Sequence, residues 1–145
     1  MSVIGIVGEY DPFHYGHKLH IDETRRLLGE DSPVVCVMSG DFIQRGEAAV
    51  YSKSARAEAA VKCGADLVLE LPLPWALSSA EGFARGAVGI LGSLGVVTHL
   101  SFGSECGDVK LLERLAESLI DPLTVNSIKA EMAADGTLSF AAARE

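Results

Sequence analysis

Three histidines, His14, His17 and His20, recur at every third position in the stretch GEYDPFHYGHKLH, and only one other histidine occurs in the chain. Imidazoles so spaced can ligate a metal or donate N–H groups to phosphate oxygens. A zinc site needs ligands converging from one side. His17 and His20 can share a helix face, but His14 precedes that helix and no cysteine lies nearby, so no resident metal is expected. A phosphate seat fits better. Pro12 stiffens the loop, Gly16 allows close backbone approach, and His17 falls where a helix should begin, so aligned helix N–H groups add to the donors at His14 and His17. His20, one turn into that helix, reads equally well as a packing residue.

A second polar stretch, SGDFIQRGE, gathers Asp41, Gln44, Arg45 and Glu47. Arg45 suits a phosphate or carboxylate, and Asp41 a substrate or magnesium. The alternative is a surface turn with an internal ion pair of small worth. A third stretch, FGSE, places Gly103 between polar neighbours. Lys53 and Arg56 read as solvated charges, and Glu70 as a structural carboxylate in need of a partner. Cys106 has no sequence-local histidine to activate it.

These stretches must be carried by regular elements. SVIGIVGEY, PVVCVMS, ADLVLELP and THLSFGS are rich in β-branched residues and read as strands buried on both faces, as in a parallel sheet. Helical periods separate them: residues 17 to 29, residues 53 to 64 ending at Gly64, and residues 79 to 94 with Ser78 and Glu81 in capping-box spacing. The alternation predicts an α/β fold, a doubly wound parallel sheet with four strands and right-handed crossovers. After Glu105 the pattern is helical only, over residues 108 to 120 and again from about Leu123 to Ala134. The closing LSFAAARE reads as the start of another helix, as though the chain were cut there. In such a sheet ligands bind beyond the carboxyl ends of strands, and the three polar stretches all follow strands.

At 145 residues the expectation is one domain, residues 1 to 145, able to bury roughly 70% of its unfolded surface. No apolar run reaches the roughly 18 to 20 residues of a membrane span, and the start carries no basic, signal-like region. A cytoplasmic protein with no membrane partner is expected. Three dispersed cysteines argue against a disulfide framework, and Cys36 reads as core. The net charge of -8 excludes polyanion binding by general basicity, so nucleic acid would need a local patch or another part of the protein. Nothing in the sequence bears on oligomeric state.

HYGH fits the HxGH signature of the nucleotidylyltransferase (HIGH) superfamily. EYDPFHYGHKLH, followed in order by VMSGDFIQRGE, DLVLELP and FGSE, resembles the tRNA(Met) cytidine acetate ligase family over residues 3 to 105. The resemblance implies a Rossmann-like fold. It also implies a ligase that activates acetate with ATP, magnesium assisting, to acetyl-adenylate. The acetyl group then passes to the wobble cytidine of elongator tRNA(Met), giving N(4)-acetylcytidine. Carried over by position, it implies an ATP-binding segment made of Val7, Gly8, Glu9, Tyr10, Asp11, Pro12, Phe13, His14, Tyr15, Gly16, His17, Lys18, Leu19 and His20. His14 and His17 would lie on the phosphates and Gly103 would contact the nucleotide. The family usually reads NPFHNGH; here Asp11 brings an anion toward the expected triphosphate unless it caps backbone or meets magnesium. The family's later asparagine and its serine-rich motif ending in arginine do not occur, so the chain reads as the N-terminal part of a catalytic domain whose tRNA-binding surface lies elsewhere. HYGH alone would also suit an adenylyltransferase for a small phosphorylated metabolite, or a noncatalytic nucleotide-binding module.

Overall fold

The computed structural model describes residues 1–44, 46–134 and 136–137. Four strands, β1 (Ile4–Gly8), β2 (Val34–Ser39), β3 (Leu67–Leu71) and β4 (His99–Ser101), form one parallel sheet in the order β3-β2-β1-β4. Ile4 registers with Val34 on one side and with His99 on the other. The expected doubly wound α/β architecture is present. Helices α1 (Tyr15–Leu28) and α2 (Lys53–Lys62) cover the face carrying Ile4, Ile6, Val34, Cys36 and Met38. The short α3 (Leu73–Ala76) and the longer α4 (Ala80–Ser93) cover the other, with Val35, Val37, Leu71, Phe83 and Leu91. Each fully buried aliphatic side chain stabilises the fold by roughly 1.5–3 kcal/mol, which makes these two apolar layers the main cohesive force. Gly5 belongs to this packing, because a Cβ there would lie 2.8 Å from Leu91 Cδ1.

The edge strands correct one expectation. Only β2 is buried along its whole length, whereas Leu67 and Glu70 of β3 and His99 and Leu100 of β4 are exposed. A continuous apolar run therefore marked the sheet without distinguishing its centre from its edges. Three local details also differ. The first helix starts at Tyr15 with His14 as its N-cap, two residues before the expected start. Ser79, not Ser78, caps α4 by accepting from Gly82 N–H, while Ser78 Oγ turns back to the Trp75 carbonyl. Helix α3 was not foreseen; it starts after Pro72 with Pro74 in its first turn, where proline is tolerated.

The chain divides into two compact units, Met1–Gly103 and Ser104–Glu145. The second contains α5 (Val109–Ile120), capped by Asp108, and α6 (Pro122–Ala134), with Ile128 buried. Both match the expected helices. The closing LSFAAARE lies outside the described residues. No described helix is long and apolar enough to cross a membrane.

Candidate nucleotide site

Strand β1 ends at Gly8, and the chain turns through Glu9 to His14 before α1 begins. Tyr10 adopts φ +52°, a left-handed conformation uncommon for a non-glycine residue. Its ring is buried, with its hydroxyl on Cys36 Sγ at 3.2 Å and edge contacts to Phe13 and His17 at centroid distances of 5.0 and 4.9 Å. Burial and the neighbouring Cys36 push the Tyr10 hydroxyl pKa well up, so it stays a neutral anchor. The anchored ring holds the backbone in the turn and gives His17 a wall to rest against.

His14 and His17 form a reciprocal cap on α1. Gly16 N–H donates to His14 Nδ1 at 3.1 Å, and His14 N–H donates to His17 Nδ1 at 3.2 Å. The two rings stack with centroids 3.7 Å apart. With Nδ1 accepting in both rings, each neutral imidazole carries its proton on Nε2 and keeps that donor for a ligand. Burial first, then the neighbouring His14 and His20, lower the His17 pKa, which favours the neutral donor. Gly16 also makes room for the cap, because a Cβ there would lie 3.0 Å from the His14 ring.

Glu9, Tyr10, Asp11, Pro12, His14 and His17 line an open cleft of about 520 Å3 together with Ile43, Gln44 and Glu47 of the second loop. Two carboxylates tie the loops together. Glu9 Oε1 accepts from Gln44 N–H at 2.6 Å, and Asp11 Oδ1 accepts from Val50 N–H at 2.8 Å. Asp11 thus caps backbone, one of the two conditions under which an anion is tolerable here.

Other members of the 7–20 segment are placed around the cleft. Val7 packs against the apolar layer under α4, and Phe13 against the opposite one. Gly8 accommodates the Tyr10 ring, Tyr15 and Leu19 are exposed, and Lys18 pairs with Asp22. His20 Nε2 meets Ser101 Oγ at 2.7 Å, a packing role that links α1 to β4; burial lowers its pKa. The three imidazoles do not converge, and no group of three or more metal-binding side chains occurs among the described residues. Gly103 is exposed just past the carboxyl end of β4, which neighbours β1.

Asp41 does not line the cleft: its Oδ1 accepts from Lys53 N–H at 3.1 Å and its Oδ2 lies 3.8 Å from Lys53 Nζ. Arg45 lies outside the described residues. Lys53 Nζ also donates to both Glu70 oxygens at 2.9 and 2.8 Å, giving Glu70 the partner its strand-end position required. Arg56 overturns its reading as a solvated charge. It is 2% exposed and donates to the carbonyls of Tyr51 at 3.1 Å, Ser39 at 3.2 Å, Gly40 and Glu9. Its one sequence cue was the alanine-rich helix around it, with Ala57 and Ala60 placing that side against the sheet.

A parallel α/β sheet whose first strand runs into paired imidazole donors at a helix N-terminus has the architecture of a nucleotidyl transferase domain. A family model described as HIGH nucleotidyl transferase matches residues 1–145, and the chain belongs to that family. The tRNA(Met) cytidine acetate ligase of Acetivibrio thermocellus is 52% identical over 147 residues, covering 100% of this chain and 35% of that protein. The ligase of the same name from Fervidobacterium nodosum is 53% identical over 119 residues, covering 82% and 28%. The crystal structure of Thermotoga maritima TmcAL bound with alpha-thio ATP matches with a TM-score of 0.86 at 44% identity, over 99% of this chain and 34% of that one. The chain spans about a third of the length of these relatives.

Proposed function

We propose that this chain is the ATP-binding part of an enzyme that activates acetate as acetyl-adenylate and transfers the acetyl group to the wobble cytidine of elongator tRNA(Met), in the cytoplasm. The observation that carries the reading is the His14–His17 pair, whose Nδ1 atoms are engaged by backbone N–H groups and whose Nε2 donors meet no partner among the described residues. The names of its relatives at about half identity supply the substrate classes.

ATP lies along the 7–20 segment, with Gly103 near the nucleotide and the phosphates over His14 and His17. The acetate oxygen attacks the α-phosphorus, the bond to the β-phosphate bridging oxygen breaks, and pyrophosphate leaves. No protein nucleophile is needed, so the residues act by positioning and by donating to oxygens that gain charge. Magnesium, a hard cation served by oxygen ligands, would supply charge neutralisation while held by the phosphates, with Glu9, Asp11 and Glu47 the cleft carboxylates that would hold its waters. Arg45 of the second loop serves the acetate carboxylate, while Asp41, held on Lys53 outside the cleft, supports that loop. The cytidine amine then attacks the acetyl carbonyl and AMP departs. The tRNA contacts belong to the part of the relatives this chain does not span, in keeping with its charge of -8.

The test is pyrophosphate release from ATP by the encoded full-length protein. Release that depends on acetate and falls in His17→Ala is expected; release without acetate, or only with a phosphorylated co-substrate, would contradict the proposal.

A further inference from the structure

Arg56 is the one charged side chain in the buried set of described residues, and no carboxylate among them pairs with it. A buried guanidinium is costly unless it is well hydrogen-bonded, and here each of its three nitrogens donates to backbone carbonyls, drawn from three separate segments. Glu9 belongs to the first loop, Ser39 and Gly40 to the carboxyl end of β2, and Tyr51 to the end of the second loop.

Its place in α2 is unfavourable for the helix itself. Arg56 lies in the first turn after the Ser52 N-cap, where the helix dipole disfavours a cation. Helix stability therefore does not explain an arginine here, whereas the carbonyl cluster does. Arginine alone presents several donors in a rigid planar fork; a lysine ammonium at this depth could not span carbonyls of three segments.

We propose that Arg56 is a positioning residue for phosphate binding: from beneath the cleft it locks the first loop, which carries His14 and His17, to the second loop, which forms the opposite wall. This rests on the reading of the cleft as a nucleotide site. The fork acts through Glu9, whose carbonyl it holds while the Glu9 carboxylate accepts from Gln44. One residue is thus gripped from both ends, and the cleft wall follows.

The test uses the encoded full-length protein with Arg56→Lys and Arg56→Met, comparing ATP and adenosine binding by calorimetry well below each melting temperature. ATP affinity is expected to fall at least tenfold in both variants, with adenosine affinity changing less than twofold, because the phosphate end depends on the lock. Variants that melt earlier yet bind ATP within twofold of wild type would make Arg56 merely structural and overturn the inference alone. Absence of ATP binding by wild type would remove the nucleotide reading and this inference together. If neither variant folds, amide exchange in wild type decides: ATP should slow exchange in residues 9–14 and 39–51 together, and protection confined to one segment would overturn the lock.

Discussion

The two loops that wall the cleft are held in opposite ways. The first is largely self-sufficient: His14 and His17 cap each other's backbone within one helical turn, Gly16 makes room for the His14 ring, and Tyr10 reaches into the core only two residues beyond β1. The second loop has a small internal turn, with Ile43 N–H donating to the Glu47 carbonyl at 3.0 Å and Gly46 at φ +80°. Its attachment to the sheet comes from outside, through Glu9, Asp11 and Arg56. The donor rings are therefore capped by local sequence, whereas the opposite wall and its lock to the first loop through Arg56 and Glu9 depend on residues distant along the chain.

Removing a donor from the self-held loop should have the largest effect. His17→Ala deletes both an Nε2 donor and the acceptor for His14 N–H, and should lower acetate-dependent pyrophosphate release about 10²–10³-fold, the usual range for one preorganised donor. A loss under about threefold would remove His17 from the phosphate site. Releasing the second loop should matter less. Glu9→Ala and Asp11→Ala each remove a carboxylate acceptor from one backbone N–H, worth about 1–2 kcal/mol of stability in urea unfolding. Faster amide exchange at Gln44 and Val50 respectively, with the His14 and His17 amides unchanged, would confirm that the loops are anchored independently in this respect.

The same contrast explains what could be read in advance. The self-held loop is a contiguous string, so spacing alone pointed to His14, His17 and a helix start, and the strand-helix alternation pointed to the sheet. Arg56 could not be read this way, because its partners lie up to 47 positions away and are backbone carbonyls, which no residue type advertises. The role of Asp11 was open for a related reason: a side chain that serves backbone leaves no sequence mark separating it from one that serves a ligand. The apolar runs located β3 and β4 but not their edge positions, since strand order depends on the crossovers rather than on any strand's composition.

Acidity should separate the loops more gently. His17 and His20 have pKa values lowered chiefly by burial, so the unfolded chain binds protons there more readily than the folded one. Their contribution to stability is complete above the ordinary imidazole value of about 6.5 and is lost as pH falls through it toward the lower folded values. Between pH 7.5 and 5.5 stability should decline, and His20→Asn should flatten the decline. Residues 40–51 contain no histidine, so protection, after correction for the pH dependence of intrinsic exchange, should fall over 9–20 and stay level over 40–51. An equal fall in protection in both would mean that protonation loosens the sheet rather than the first loop.

The smallest effect tests whether the second wall depends on the backbone of β2 or on its side chains. Ser39 Oγ is buried with no hydrogen-bond partner among the described residues, an arrangement that costs about 1–3 kcal/mol by desolvation, while the Ser39 carbonyl still holds Arg56. Ser39→Ala removes the unmatched hydroxyl and keeps the carbonyl, so the lost desolvation penalty and the small hole left behind nearly offset. Urea midpoints should correspond to a change of less than about 1 kcal/mol, on the stabilising side, with ATP binding unaltered. A destabilisation beyond that, or weaker ATP binding, would show that the hydroxyl serves the wall directly and that the second loop is held by more than the carbonyl lock.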